Sequence, residues 1–384
     1  MKLAAIMLVA ALGPAAFLGS RLVVTLQALE LGAGPVTVGV LTALYGLLPI
    51  FLGQLTGRIT DRIGVGLPLF VWGSMFFVAQ IIPWLHISLV TLAVSALLTG
   101  FAFMGNMVST NQAVAGVSSS EGRTGNFGWM TAANALGSAL GPVAAGFAID
   151  RIGHRDAFLV VSLIPALSLV VVALVASGLP RPSGVPAAAR MPAREIWRSP
   201  RLRLTLALAA FIPVTVDLFF FIVPLVGARI QLPASTTGSI LGLCAGVALV
   251  ARILLPWLMR AVSEWAAVSA CFVMIGAGFV MLPAAQSAAP LFGISFLLGV
   301  GGGIGPPLLL SLLYGAAPAG RKGELLGVRA ALVSSLSGVT PMLAGGLGAL
   351  AGMTPVLLAT GIALLFGARV AWRVRSSYTA KISS

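Results

Sequence analysis

Apolar stretches separated by short polar breaks run the length of the chain, and twelve of them are long enough to be membrane-spanning helices. A helix needs about 20 mostly apolar residues to cross the hydrocarbon of a bilayer. The first six fall at Leu3–Leu29, Val36–Thr56, Val65–Ile82, Ile87–Val117, Gly125–Ile149 and Ala157–Ser177. The second six fall at Leu204–Val226, Ser235–Leu258, Ala266–Leu282, Pro290–Tyr314, Leu325–Leu350 and Pro355–Ala371. The two sets repeat one another at an offset of 199 residues. Thr37 returns as Thr236, Gly39 as Gly238, Gly100 as Gly299, Gly128 as Gly327, Pro142 as Pro341 and Gly146 as Gly345. Tandem membrane halves of this kind are the usual build of a transporter. The expected domains are a six-helix bundle over 1–177, a linker over 178–203 and a second bundle over 204–384 with a short basic tail. The linker carries four prolines before Ile196 and six arginines, and its end, Ala193 to Arg203, is suited to lie along lipid headgroups.

Composition removes the soluble classes. Hydrophobic residues make up 59% of the 384 and charged ones only 8%, whereas soluble chains are about a quarter charged. The net charge of +14 is a matter of orientation. With a cytoplasmic N-terminus, Arg58, Arg62, Arg123, Arg260, Arg321, Lys322 and the linker arginines fall inside, and only Arg151, Arg155 and Arg229 fall outside. That is the positive-inside bias. It places both termini in the cytoplasm of a multi-pass protein of the cell membrane, and gives no reason to expect nucleic acid as a partner. The N-terminal apolar run continues past Leu22 and has a counterpart in the second half, so it reads as a retained first helix and not as a cleaved signal.

Chemistry of the enzymatic kind is not signalled. Cys244 and Cys271 stand in apolar stretches without nearby histidines, which gives no metal spacing. Dinucleotide and Walker patterns are missing, and no nucleophile has a histidine partner within a span. No cofactor and no enzyme activity are expected. The implied energy source is an ion gradient, which yields about 2.3 kcal/mol per charge moved through 100 mV.

Between the second and third spans stands Gly57-Arg58-Ile59-Thr60-Asp61-Arg62-Ile63-Gly64, the pattern G-x-x-x-D-R-x-G. In a short cytoplasmic loop of a twelve-span repeated chain, this resembles the major facilitator superfamily. The resemblance covers Leu3 to about Ala371. It implies an all-α membrane fold of two pseudo-symmetric six-helix bundles, with a substrate cavity between halves that open alternately to either side. It also implies a gating role for Gly57, Asp61, Arg62 and Gly64, with Asp61 acting on the start of the eleventh span near Arg329. A carboxylate there would meet the unpaired N–H groups of a helix start. The plainer alternative is that Asp61 and Arg62 only flank a membrane turn. Where the family often has a basic pair after Gly64, this chain has Val65 and Gly66.

The fifth span, with Gly137, Gly141, Pro142 and Gly146, is similar to the glycine-proline pattern of drug–proton antiporters in that superfamily. Small residues let helices approach, and proline removes a backbone donor, so the span can bend. Pro306 and Pro307, after Gly305, suit a bend in the tenth span. The antiporters usually place an arginine in the fourth span. Here Asn106, Asn111 and Gln112 stand there instead.

Of nine acids, only Asp217 falls near the middle of a span. An ionisable group at that depth costs roughly 2.5–3.5 kcal/mol on insertion scales, and such groups usually mark a cavity, a partner or a proton path. Arg21, one turn from the corresponding position in the first span, is the natural counter-charge. The pair is expected to couple protons to transport. A static ion pair, or an Arg21 that snorkels outward, is the alternative. Asn106, Tyr45 and Tyr314 are candidate cavity residues. The function expected is proton-coupled efflux of a small amphipathic compound by a monomer in the lipid bilayer. Two alternatives stay open: uptake of an organic anion or other metabolite, and a receptor or assembly factor that keeps the fold without transporting.

Overall fold

The computed structural model describes residues 2–118, 122–175, 200–316 and 322–382. These residues are almost wholly helical. The helices are α1 (Lys2–Glu30), α2 (Pro35–Ile63), α3 (Gly66–Leu85), α4 (Leu89–Val117), α5 (123–152) and α6 (154–175). They continue as α7 (Pro200–Arg229), α8 (Ala234–Leu258), α9 (Glu264–Met281), α10 (Ala288–Ala316), α11 (Lys322–Ala351) and α12 (Met353–Ile382). Each described stretch is apolar and long enough to cross a membrane, α5 and α6 being counted together as Gly125–Val175. Most of the linker, 178–199, lies outside the described residues, and its last residues from Pro200 already belong to α7.

Helix ends differ from the expected spans in one instructive place. The motif residues Gly57–Ile63 are not loop: α2 carries them as helix to Ile63. Arg58, Asp61 and Arg62 are exposed, so the helix loses nothing by continuing beyond the apolar layer. Gly64 then ends it at φ 83°, its N–H donating to the Thr60 carbonyl at 3.0 Å. At the other end Pro35 starts α2, where a missing N–H costs nothing. A capping box of Ser88 and Thr91 starts α4.

Backbone conformation carries the same 199-residue offset as the sequence. The break between α5 and α6 is Gly153 at φ 87°, and the turn between α11 and α12 is Gly352 at φ 84°. The turn after α1 is Gly32 at φ 78°, and its counterpart after α7 is Gln231 at φ 55°. Gln231 occupies a left-handed position that costs a side-chain-bearing residue roughly 1–2 kcal/mol. Its backbone N–H and its Nε2 both donate to the Ala228 carbonyl, at 3.2 and 2.9 Å, which supports the turn.

By contact the chain forms two compact units, Met1–Ala187 with Val223–Gly242, and Ala188–Ile222 with Leu243–Ser384. Lipid tails are as apolar as leucine, so helices associate through close packing and interhelical hydrogen bonds. In the first unit a Cβ on Gly100 would overlap the Tyr45 carbonyl where α4 crosses α2. In the second unit a Cβ on Gly299 would lie 2.8 Å from the Cys244 carbonyl. Both partners are again related by 199 residues, so one crossing is built twice. Polar cross-links supplement this packing. Gln80 Nε2 donates to Thr99 Oγ1 at 2.9 Å, and Ser269 Oγ donates to the Ala368 carbonyl at 3.0 Å. Toward the N-terminal ends of α1 and α3 the first unit packs Ile6, Val9, Val65 and Leu69 against Ala113 and Val114 of α4. Val65 is 3% exposed, which accounts for an apolar residue where the resemblance expects a basic one.

Candidate functional site

The first unit contains a cavity of about 160 Å³ bounded by α1, α4 and α5. Its polar wall is Asn106, Thr110 and Asn111 from α4 with Asn134 and Ser138 from α5, and Phe103 adds an aromatic surface. These residues recur at three- and four-residue spacing on their helices, which brings them to one face. A larger cavity in the second unit, about 580 Å³ along α8 and α10, has a purely apolar lining.

Gly13 makes room for the buried Asn106: a Cβ there would lie 2.8 Å from its Oδ1. Phe103 stacks on Phe17, ring centroids 4.2 Å apart, and Phe17 meets Tyr45 edge-on at 5.5 Å. The Arg21 guanidinium stands 5.7 Å from the Phe17 centroid, a cation–π distance. Tyr45 is 5% exposed, with its hydroxyl 3.0 Å from Ser20 Oγ. Of the expected cavity residues, Asn106 therefore lines this cavity. Tyr45 stands behind it in the aromatic packing, and Tyr314 is partly buried on α10 in the second unit. Arg21 belongs to the first unit and Asp217, partly buried on α7, to the second. Val216, next to Asp217, approaches Gly302 to 3.0 Å of a would-be Cβ, so α7 and α10 are in close contact at that depth.

In the G-x-x-x-D-R-x-G motif, Asp61 Oδ1 accepts from Gln112 Nε2 at 2.8 Å, which ties the end of α2 to α4. Thr60 adds a hydroxyl contact to Ser109 at 3.2 Å. Gly57 is open, with nothing within 4 Å of a Cβ. Arg329 is partly buried on α11, and its Nε is buried without a hydrogen-bond partner among the described residues.

The glycines of α5 are sites of close approach on two sides. Gly137 and Gly141 face the carbonyls of Ala11 and Ala15 on α1. Gly146 faces the Ala234 carbonyl, Pro142 receives Gly238, and Ala139 receives Gly242, all on the N-terminal part of α8. The helix remains helical through Pro142, its non-helical residue being Gly153. In α10, Pro307 offers no N–H to the Gly303 carbonyl. Arg252 Nε donates to that carbonyl at 3.3 Å, which replaces the donor that the proline removes. Arg252 thus braces the proline segment of α10 from α8.

One acidic residue escaped the sequence reading. Asp150, at the end of α5, accepts from the Ala234 N–H through Oδ1 and from the Ser235 N–H through Oδ2, each at 2.9 Å. These are orphan donors of the first turn of α8, and Pro233 before them has no capping side chain. A carboxylate placed there also meets the positive end of the helix dipole. Asp150→Ala is expected to cost about 1 kcal/mol, as loss of a helix cap does, and Asp150→Asn to cost less. Hydrogen–deuterium exchange over 230–240 reads it: the amides of Ala234 and Ser235 exchange faster in the alanine variant. Unchanged protection there would show that the cap does not hold this helix end.

Among the described residues no group of three His, Cys, Asp or Glu side chains could hold a metal ion. The solved structure of a mutant of the nucleoside transporter NupG is similar in fold, with a TM-score of 0.79 and 10% identity over 97% of this chain and 100% of that one. A peptide transporter POT in complex with sulfate has a TM-score of 0.81 at 14% identity, covering 98% and 94%. A curated relative, the class D tetracycline resistance protein of Salmonella ordonez, is 27% identical over 313 residues, 78% of this chain and 77% of that protein. The sequence description of the Major Facilitator Superfamily matches residues 3–341. With twelve helices among its described residues, a 199-residue repeat and a match that spans most of its length, this multi-pass membrane protein belongs to the Major Facilitator Superfamily of secondary transporters.

Proposed function

We propose that the protein exports small amphipathic compounds across the cell membrane, driven by the proton gradient, as a monomer with both termini in the cytoplasm. The observation that carries this reading is the cavity of the first unit, which sets amide and hydroxyl groups beside Phe103 and methionine side chains. Such a lining suits a compound with one polar and one apolar face. The relative known as a tetracycline resistance protein supports export, because removal of a drug is a route by which a membrane transporter confers resistance. Uptake of an organic anion finds less support, since no lining residue of this cavity carries a positive charge.

In this reading Asp217 loads and releases the proton, and Arg21 responds to its charge. Asp61, Arg62 and Arg329 set the cytoplasmic gate, with the Asp61–Gln112 bond holding the Asp61 carboxylate in place within the first unit. Gly137, Gly141, Pro142 and Gly146 let α5 bend against α1 and α8 without side chains that interlock, and Pro306 and Pro307 let α10 bend. Tetracycline accumulation in cells tests the proposal. Cells that make the protein should retain less drug than control cells, and a protonophore should erase the difference. More drug in the producing cells would indicate uptake. No flux of tetracycline in proteoliposomes under any gradient would remove this drug as a substrate and bring forward the receptor alternative.

A further inference from the structure

The amide groups of the first unit's cavity are only partly engaged, and what they leave open defines what can bind. Asn111 Nδ2 donates to the Met107 carbonyl at 2.8 Å, which leaves its Oδ1 without a partner among the described residues. Asn106 Oδ1 receives the Thr110 hydroxyl at a long 3.5 Å, and its Nδ2 has no partner among them. Ser138 Oγ donates to the Asn134 backbone carbonyl at 2.8 Å, and the Asn134 side-chain amide, which lines the cavity, has no hydrogen-bond partner among the described residues. The wall thus presents donors and acceptors side by side, all neutral.

Charge would be badly received there. An ion without a counter-charge in a partly dry site loses hydration that neutral dipoles do not fully replace, and no residue lining the cavity is ionisable. Size narrows the class further. A volume near 160 Å³ is comparable to the roughly 150 Å³ cavity that holds one benzene ring, and falls below the roughly 300 Å³ at which whole drug-sized ligands begin. Phe103, itself stacked on Phe17, offers a planar surface for offset stacking.

From these features we infer that the cavity is a subsite for the uncharged, hydrogen-bonding end of the substrate: a planar ring that carries a carboxamide, hydroxyl or carbonyl group. The inference rests on the reading of this cavity as the substrate site. It adds that charged ring compounds of equal size are refused here, so any charge on the exported compound lies outside this subsite.

Three probes of one shape test it: benzamide, benzoate and benzylammonium, added to purified protein in nanodiscs while the thermal unfolding midpoint is followed. Benzamide should raise the midpoint by about 2 °C near saturation, and the two ions at the same concentration should not. Asn134→Leu should abolish the benzamide shift. Asn134→Asp should transfer it to benzylammonium, which a merely structural role for Asn134 does not predict. Equal shifts from all three probes, a preference of the unaltered protein for either ion, or no shift from any probe would overturn the inference. So would a benzamide shift that survives in Asn134→Leu. The measurement uses no gradient, so it is independent of export: a protein that does not pump can pass it, and one that pumps through another subsite fails it while drug efflux continues.

Discussion

Asp217→Asn is expected to abolish uphill transport while leaving downhill exchange of the same compound measurable in proteoliposomes. Asparagine keeps the size and much of the hydrogen bonding of aspartate but cannot carry a proton. A transporter that moves one proton per cycle gains about 2.3 kcal/mol from 100 mV, which supports roughly a fifty-fold concentration ratio. Without the titrating group that ratio should fall to one. Substrate exchange needs only the conformational cycle and should persist. The two assays separate coupling from folding, since a misfolded variant loses both. Full uphill transport by Asp217→Asn would show that protons enter by another route. Arg21 provides the internal control. Its guanidinium rests on Phe17, which in turn stacks on the cavity residue Phe103, so the cation and the cavity share one aromatic stack.

The repeat was the feature most legible in the sequence, because it depends on residues whose backbone role is unambiguous. Gly153 and Gly352 recur as left-handed turns, and Gly100 and Gly299 recur as crossing points. The motif ending at Gly64 was legible as well, although all of it before Gly64 is helix and not loop. Hydropathy marks where a span leaves lipid, and a helix need not stop there. What was hidden depends on contacts between distant segments. Asp150 caps a helix 84 residues further on, and nothing local distinguishes it from a solvated loop acid. Asn134 and Ser138 are hidden for a different reason. In spans where nearly every position is apolar, periodicity does not tell an inward face from a lipid face, and only the packing of α5 on α1 and α4 reveals which amides share a cavity.

Glycine substitutions at the repeated crossing should separate packing from chance with the largest stability effects. A Cβ on Gly100 meets the O, C and Cα atoms of Tyr45, all backbone, so relief requires α2 or α4 to move. Gly299 is less tightly bound: its nearest neighbour is the Val247 Cβ at 2.7 Å, followed by the Cys244 carbonyl at 2.8 Å. Gly246, on α8, has nothing within 4 Å. Overpacking costs typically about 1–3 kcal/mol and more where backbone must yield, while glycine to alanine in an open helical position gains up to about 1 kcal/mol. The expected order of unfolding midpoints is therefore Gly246→Ala at or above the unaltered protein, Gly299→Ala below it, and Gly100→Ala lowest or not recoverable as a folded species. A Gly100→Ala protein as stable as the unaltered one would show that this crossing does not set the fold. The consequence reaches the site, because Phe103 and Asn106 follow Gly100 by one and two turns on α4. A crossing pushed apart at Gly100 displaces both from the faces of α1 and α5 that complete the cavity. Any Gly100→Ala protein that does fold should accordingly lose the benzamide response before it loses its helices.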